Sequence, residues 1–390
     1  MSAPVSATRP ERAVPKKVPF LDLSGTTEEV RADVEAGWRE VVGANRFIGG
    51  PAVAAFEQEW AAYCGTRHAV GVANGTDALH WTLRALGIGP GDDVILPANT
   101  FVATAEAVVL AGARPRFADV DAGTLLLTPE HVEAVATSQT RAIIVVHLYG
   151  QMPDMDRLVA VARHLGAHLV EDAAQAHGAT SGSRRAGSSG IAGCFSFYPG
   201  KNLGAFGDAG AVVTSDDELA LALQALRAHG RCGDRHGDGH HDHRLLGTNS
   251  RLDASQAVVL SAKLPRLDGW NENRRALMAV YRELLDPEVA PLVDELPGGR
   301  GVHHLAVVRV RNRDRVRAGL AELNIETGIH YPVPCHLMAP YLRFADGPLP
   351  AAERAGAQVL SLPMYPHLDV ATVEYVALAV NAAARQELLR

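Results

Sequence analysis

A lysine in a glycine-rich loop is the first candidate for chemistry in this sequence. Lys201 follows an aromatic run at residues 195–198 and stands between Gly200 and Gly204, and only four of the 37 basic residues in the 390-residue chain are lysines. Such a loop after a buried strand would partly desolvate the ammonium group, which lowers the pKa of the amine and exposes the lone pair needed for a Schiff base. Taken alone, a single lysine is more often one that reaches from a sheet edge into water.

Two further motifs could complete a cofactor site. Glu171 and Asp172 end an apolar run, which places carboxylates at the carboxyl edge of an open α/β sheet, where such folds bind ligands. Gly75 and Thr76 begin a helix after a strand, and the free amides of that helix start suit a phosphate monoester. Each motif is weak alone, because strands often end in a solvated carboxylate. Together with Lys201 they supply the amine, the carboxylate and the anion site that pyridoxal phosphate needs.

The elements that must position these residues alternate along the chain. From residue 68 onward, short β-branched runs are separated by segments of helical period, a pattern typical of βαβ units. The predicted strands are residues 68–74, 93–98, 113–120, 141–150, 167–174, 194–199 and 210–215. The predicted helices between and after them are residues 76–86, 100–111, 129–136, 155–165 and 217–229. The last two strands are joined by too short a connection for a parallel crossover, so we expect a mixed sheet in an α/β fold.

The rest of the chain predicts a second, smaller unit. Helices are expected at residues 253–263, 271–285, 314–323 and 351–359 and from residue 370, with a linker at 287–300 and a strand at 303–310. We therefore predict a mobile tail at residues 1–17, a large domain at 18–270 and a small α+β domain at 271–390.

Composition and charge exclude several classes of protein. A net charge of −7 argues against a nucleic-acid binder, and no run approaches the roughly 18 apolar residues of a membrane span. The first 17 residues lack the apolar core of a secretory signal. The four cysteines form no CxxC pair, so we expect free thiols in the cytoplasm.

A histidine-rich loop is a candidate metal site. His236, His240, His241 and His243 stand at short spacing, and imidazoles are common ligands. The spacing matches no zinc pattern, and no cysteine pair accompanies it. We therefore expect a solvated loop and no metal.

The ordered motifs resemble those of the DegT/DnrJ/EryC1/StrS family of sugar aminotransferases, a branch of the fold-type I, aspartate aminotransferase-like enzymes. The resemblance runs over residues 18–380 and includes the motifs at 47–51, 74–79, 100–104, 146–151, 171–178, 196–202, 249–253, 330–334 and 360–363. It implies a large domain with a mixed, mostly parallel seven-stranded sheet flanked by helices, and a small C-terminal α+β domain. The sequence departs from the family at Ala209, where glycine is usual, and in the longer loop at 230–247.

The resemblance also implies roles for the residues that hold the cofactor ring. Lys201 would form the Schiff base with pyridoxal 5′-phosphate and move protons between cofactor and substrate. Asp172 would pair with the pyridine nitrogen, and Gln175 would hydrogen-bond the ring hydroxyl. Phe101 would stack on the ring; from the residues alone it would be interpreted as core packing.

The phosphate and the substrate would be held by two further sets of residues. Gly75, Thr76 and Ser196 would bind the phosphate, together with an asparagine of the neighbouring subunit, here Asn249. This contact implies a homodimer with active sites at the subunit interface, although Asn249 alone reads as a turn residue. His330 and Tyr331 are predicted to contact the substrate, and a packed strand end is the alternative.

The expected function is transamination of a nucleotide-linked, TDP-bound 3-keto-6-deoxyhexose in antibiotic deoxysugar biosynthesis, with L-glutamate or glutamine as amino donor. An aminotransferase for a 4-keto nucleotide sugar or a keto-cyclitol is the alternative. A dehydratase of the same family is disfavoured, because those relatives replace the lysine by histidine and Lys201 is present. A non-catalytic dimeric binding protein is the remaining alternative.

Overall fold

A computed structural model describes residues 17–231 and 242–389 of the chain. The tail predicted at residues 1–17 lies outside this part, except for Lys17, whose ammonium group is 2.7 Å from the carboxylate of Glu326. His236, His240 and His241 also lie outside the described residues.

The centre of the fold is a seven-stranded sheet. In chain order, the strands of the protein are β1 (His68–Val72), β2 (Asp93–Pro97), β3 (Arg114–Ala118), β4 (Thr140–Val146), β5 (His168–Asp172), β6 (Thr180–Ser181), β7 (Arg184–Arg185), β8 (Ala192–Ser196), β9 (Gly210–Thr214), β10 (Gly299–Arg300), β11 (Ala306–Arg309) and β12 (Val359–Leu362). The large sheet has the order β1-β9-β8-β5-β4-β2-β3. Strand β9 is antiparallel to both of its neighbours, whereas the pairs from β8 to β3 are parallel. The prediction of a mixed, mostly parallel sheet is therefore confirmed.

Helices surround this sheet and continue into the C-terminal part of the chain. They are α1 (Ser24–Ala44), α2 (Gly50–Cys64), α3 (Gly75–Ala85), α4 (Val102–Leu110), α5 (Pro129–Val135), α6 (Met155–Leu165), α7 (Asp217–Leu226), α8 (Ala254–Lys263), α9 (Leu267–Leu284), α10 (Arg313–Glu322), α11 (Pro350–Gln358) and α12 (Val370–Leu388). Short 3₁₀ turns occur at Leu148–Gly150, Leu264–Arg266, Cys335–Leu337 and Leu342–Phe344.

Both faces of the large sheet are buried, which explains why its strands read as continuous apolar runs rather than alternating ones. Ile143 and Ile144 are neighbours on β4, and both side chains are fully buried. Because consecutive strand residues point to opposite faces, Ile144 packs in the cluster with α3 and α4, and Ile143 packs in the cluster with α2, α6 and α8. The sheet is thus the middle layer of three.

Helices α1 and α2 and strand β12 were not predicted. Helix α2 begins with Gly50 and Pro51 and is followed by Gly65, whose φ of 75° is left-handed, so it carries ordinary helix-boundary residues. Its Trp60 is fully buried. These elements precede residue 68 or follow a helix directly, where no alternation of strands and helices marks them.

A second core joins the C-terminal elements. Strands β11 and β12 pair antiparallel, and α9, α10 and α12 contribute to one buried cluster beside them. The boundary predicted between residues 270 and 271 falls inside α9, and the division into domains stays a prediction.

Two expectations from composition, free thiols and no membrane-spanning segment, concern the cysteines and the helices. Cys64, Cys194 and Cys335 are buried and unpaired. Among the residues that the structure describes, no helix is long and apolar enough to cross a membrane. The cytoplasmic location stays a prediction.

Candidate functional site

A pocket of about 690 Å³ gathers most of the predicted site residues. It lies where β5 and β8 end and where α3 and α4 begin. The predicted residues that line it are Gly75, Thr76, Phe101, Asp172, Gln175, Ser196, Lys201, His330 and Tyr331. Asn249 does not line it.

Lys201 lies in the tight loop that connects β8 to β9. Its backbone N–H donates to Tyr198 O at 2.8 Å, and a Cβ at Gly204 would stand 2.3 Å from Pro199 O, so only glycine permits this turn. The side chain is partly buried. Burial lowers the pKa of the Lys201 amine to about 8, although the Asp172 carboxylate opposes the fall. At pH 7 about a tenth of an amine with this pKa is unprotonated and nucleophilic, far more than for a lysine with the ordinary value.

Asp172 ends β5 and lines the same pocket as Lys201. Its carboxylate accepts hydrogen bonds from Thr104 Oγ1 at 2.7 Å and from the Ala174 N–H at 3.3 Å. Burial raises the pKa of Asp172 above its usual value, although these hydrogen bonds and the charge of Lys201 oppose the rise. A cation placed against this carboxylate would favour its ionised form.

The neighbouring carboxylate, Glu171, points to the other face of the sheet. It accepts backbone N–H groups of Gly187, Ser189 and Gly190 at 2.6–2.8 Å, and its Oε2 is 2.7 Å from His147 Nε2. Burial would raise the pKa of Glu171, but these contacts hold it below its usual value. Of the two carboxylates at the strand end, only Asp172 therefore belongs to the pocket.

The start of α3 forms a cradle at one end of the pocket. Asn74 caps the helix by accepting the Asp77 N–H at 2.8 Å, which leaves the earlier amides of the first turn free. A Cβ at Gly75 would stand 2.6 Å from the Ser196 Cβ, so glycine allows the helix start to approach the end of β8. This site can bind an anion at backbone amides and the hydroxyls of Thr76 and Ser196.

Gln175 is held in a single orientation beside an aromatic pair. Its amide oxygen accepts the Tyr149 N–H at 2.7 Å, so its amide nitrogen faces the Tyr331 hydroxyl at 3.0 Å. The rings of Tyr331 and Phe101 are 5.6 Å apart. Phe101 is 52% exposed, which is unusual for a packed core residue and argues against that interpretation.

His330 approaches the pocket from the C-terminal part of the chain. Its Nδ1 is 2.9 Å from Ser361 Oγ on β12, and its ring stacks on Phe20 at 5.7 Å. Burial and the charge of Lys201 lower the pKa of His330 to about 4. The imidazole is therefore neutral at physiological pH.

Asn249 is exposed and pairs with Ala228 through a β-bridge. Its side-chain oxygen accepts a hydrogen bond from Arg251 Nε at 3.0 Å. Asn249 therefore lies outside the pocket of its own chain, and its role in the pocket of another subunit stays a prediction. Nearby, His243 Nδ1 is 2.8 Å from His229 O, and the described residues contain no group of His, Cys, Asp or Glu that could hold a metal.

Several residues near the site were not predicted. Phe20, His304 and Met364 line the pocket from distant parts of the sequence, and only the fold brings them to Lys201. Lys263, which no motif accompanies, is buried, and its Nζ donates to Gly204 O at 2.7 Å beneath the Lys201 loop. Burial lowers the pKa of Lys263 to about 8.

The described residues fit pyridoxal phosphate. A buried carboxylate without a side-chain cation in hydrogen-bond contact suits a protonated pyridine nitrogen, the lysine suits the aldehyde, and the α3 cradle suits the phosphate. The fold and this pocket define an α/β enzyme of the class that uses pyridoxal phosphate.

Comparison with known proteins places the chain within that class. The model of the DegT/DnrJ/EryC1/StrS aminotransferase family matches residues 28–381, and the chain belongs to this family of pyridoxal phosphate-dependent sugar aminotransferases. The chain is 47% identical to a dTDP-3-amino-3,4,6-trideoxy-alpha-D-glucose transaminase of Streptomyces venezuelae, over 92% of this chain and 94% of that protein. It is 44% identical to a "pleiotropic regulatory protein" of Geobacillus stearothermophilus, over 92% and 96% of the two chains. The crystal structure of S. venezuelae DesV in complex with a ketimine intermediate superposes with a TM-score of 0.90 at 47% identity, covering 94% of this chain and 98% of that one.

Proposed function

We propose that this enzyme transfers the amino group of L-glutamate to a TDP-linked 3-keto-6-deoxyhexose and forms the corresponding 3-amino sugar. The observation that carries the chemistry is the placement of Lys201 and Asp172 in one pocket beside the α3 cradle. The sugar substrate is supported by the similarity to the dTDP-3-amino sugar transaminase of S. venezuelae.

The cofactor would be held by residues at both ends of the pocket. Lys201 would bind it covalently, and Asp172 would pair with the pyridine nitrogen. Gln175 would donate to the ring hydroxyl, since its amide nitrogen is oriented toward the Tyr331 hydroxyl, and both residues line the pocket. Phe101 would cover one ring face. The bound cofactor supplies an aldehyde that exchanges amines and a ring that serves as an electron sink.

The phosphate would lie against Gly75, Thr76 and Ser196 at the start of α3. Asn249 of the partner subunit would complete this anion site, so the active enzyme would be a homodimer. Support for this arrangement comes from the exposure of Asn249 and of Phe47 and Ile48, which are 53% and 54% exposed in the single chain. Because these two apolar side chains are adjacent in sequence, they can contribute to a contiguous exposed patch of the kind that marks an interface.

The proton transfers would be carried by Lys201. Its Nζ, with a pKa lowered to about 8, can accept the α-proton of the amino donor and return a proton to the sugar carbon. His330 and Tyr331 would contact the substrate, and at neutral pH the His330 ring would do so without charge.

A panel of ketones tests the proposal. The purified holoenzyme is incubated with L-glutamate and, separately, with a TDP-3-keto-6-deoxyhexose, a TDP-4-keto-6-deoxyhexose and a keto-cyclitol, and the amino products are measured by mass spectrometry. We expect the 3-keto sugar to react with the highest kcat/KM. Preferred amination of the 4-keto sugar or the cyclitol would instead support the alternative aminotransferase, and a colourless, inactive protein would support a binding function. Replacing L-glutamate by L-glutamine in the same assay distinguishes the two donors.

A further inference from the structure

His304 is a pocket residue to which the cofactor chemistry gives no role. It lines the same pocket as Lys201, and its Nδ1 is 3.1 Å from Oδ1 of Asn202, the residue that follows Lys201. Its Nε2 makes no hydrogen bond with any residue that the structure describes. The ring therefore connects the Lys201 loop with the interior of the pocket.

A chain of buried amides fixes the tautomer of His304. The backbone oxygen of His177 can only accept, so Asn271 turns its Nδ2 toward that atom at 2.9 Å and offers its Oδ1 to Asn202. Asn202 Nδ2 donates to that oxygen at 2.9 Å and to Val302 O at 3.0 Å. The remaining Asn202 oxygen must accept, which makes the His304 Nδ1 the protonated nitrogen.

The other ring nitrogen is consequently an unprotonated acceptor. Burial, with the charges of Lys201 and Arg274, holds the pKa of His304 well below its usual value, so Nε2 does not gain a proton at physiological pH. The backbone is fixed as well, because Arg274 Nη1 donates to His303 O at 3.2 Å and His304 O at 3.4 Å. A preorganised lone pair thus faces the pocket.

We propose that His304 is a specificity-determining residue whose Nε2 accepts a hydrogen bond from a hydroxyl group of the bound sugar. A neutral acceptor cannot hold the carboxylates of the amino donor or the phosphates of the nucleotide, because these groups are themselves acceptors. The hexose carries most of the hydroxyl groups that can donate, and binding of TDP alone distinguishes them from the single 3′-hydroxyl of the nucleotide. The inference rests on the proposed function for the identity of that reactant.

Two substitutions separate this role from a structural one. Asparagine places its amide nitrogen near the position of Nδ1, so His304→Asn keeps the bond to Asn202 and loses the acceptor in the pocket. Glutamine places its amide oxygen near the position of Nε2, so His304→Gln keeps the acceptor and loses the buried bond. If His304 is only structural, His304→Gln should lose more thermal stability and more sugar affinity than His304→Asn. If His304 contacts the sugar, His304→Asn should lose more sugar affinity than His304→Gln.

The measurement is calorimetric binding of TDP-glucose, which has no ketone and does not react, and of TDP alone to each holoenzyme, with thermal unfolding as the check on folding. We expect His304→Asn to bind TDP-glucose about 3- to 10-fold more weakly and TDP with unchanged affinity, whereas His304→Gln keeps the preference for TDP-glucose. Wild-type affinity of His304→Asn for TDP-glucose, or an equal loss for TDP, would overturn the role of His304 and leave the proposed function intact. A wild-type enzyme that binds neither ligand and aminates no nucleotide keto-sugar would overturn the proposed function itself and the role of His304 with it.

Discussion

Thr104 Oγ1 donates a 2.7 Å hydrogen bond to Oδ2 of Asp172 and so joins the first turn of α4 to the end of β5. Thr100 Oγ1 stands 2.9 Å from the same hydroxyl. Because Thr104 uses its proton toward Asp172, Thr100 donates to Thr104, and the two threonines form a short chain that ends at the carboxylate. This chain favours the ionised form of a buried Asp172.

Removing the Thr104 hydroxyl should therefore weaken catalysis. A hydrogen bond to a charged group contributes about 1.5–3 kcal/mol, so we expect Thr104→Val to lower kcat by about 10- to 100-fold. The matched control is Thr214→Val on β9, away from the pocket, which removes a 2.7 Å hydrogen bond from the threonine hydroxyl to Ile191 O. The measurement is the steady-state kcat of each variant, normalised to the amount of bound cofactor. Equal values for the two variants would show that Thr104 does not act through Asp172.

The adjacent carboxylates should respond differently to amidation. For Asp172→Asn we expect a protein that still binds the cofactor and transfers amino groups far more slowly. For Glu171→Gln we expect a free energy of unfolding about 3 kcal/mol lower. The backbone N–H groups that now donate to the Glu171 carboxylate would then face an amide NH₂, which is itself a donor. Denaturant unfolding and single-turnover rates separate the two effects, and a near-normal rate for Asp172→Asn would discredit its pairing with the pyridine nitrogen.

The pH dependence of cofactor capture reports on Lys201. Only the unprotonated amine attacks the aldehyde, and burial lowers the Lys201 pKa to about 8, so the rate at which the cofactor-free protein captures pyridoxal phosphate should fall about tenfold per pH unit below that value. The Asp172 carboxylate raises this pKa, so Asp172→Asn should move the inflection to lower pH. Stopped-flow absorbance between pH 6 and 10 measures both curves. An inflection near 10.5, the ordinary lysine value, would contradict the desolvated environment.

Subunit sharing predicts complementation between two inactive variants. In a heterodimer of Lys201→Ala and Asn249→Ala chains, one site combines Lys201 with the partner's wild-type asparagine, and the other site lacks both. Random mixing of equal amounts should therefore restore up to about one quarter of the wild-type activity. Differently tagged chains allow the heterodimer to be isolated, and an inactive heterodimer would count against the interface site.

The sequence predicted most of the residues that line the pocket but not the distant residues that surround them. Short motifs contain Lys201, Asp172 and Gly75, and the chemistry of these motifs can be inferred without knowledge of the fold. The alternation of strands and helices along the chain predicted the large sheet. Glu171 shares a motif with Asp172, yet strand geometry turns it to the other face. No local sequence motif marks His304 or Phe20 as a pocket residue. They line the pocket with Lys201 only because the N-terminal and C-terminal parts of the chain pack against the large sheet.

The N-terminal segment illustrates the same limit. Val18 forms a parallel bridge with Ile325, more than three hundred residues away. Glu29 on α1 accepts a hydrogen bond from Trp270 Nε1 at 2.8 Å. No periodicity in the sequence encodes such pairings, since each depends on where distant elements meet.

The central claim is that Lys201 is the amine that carries the cofactor. Borohydride reduction of the holoenzyme, followed by proteolysis and mass spectrometry, locates the covalent attachment directly. The control is Lys263→Met, because Lys263 is also buried with a pKa lowered to about 8 but donates to Gly204 O rather than lining the pocket. We predict the modification on the Lys201 peptide in the wild type and in Lys263→Met, with loss of both the modification and transamination in Lys201→Ala. Attachment at another lysine, or transamination by Lys201→Ala, would contradict the account.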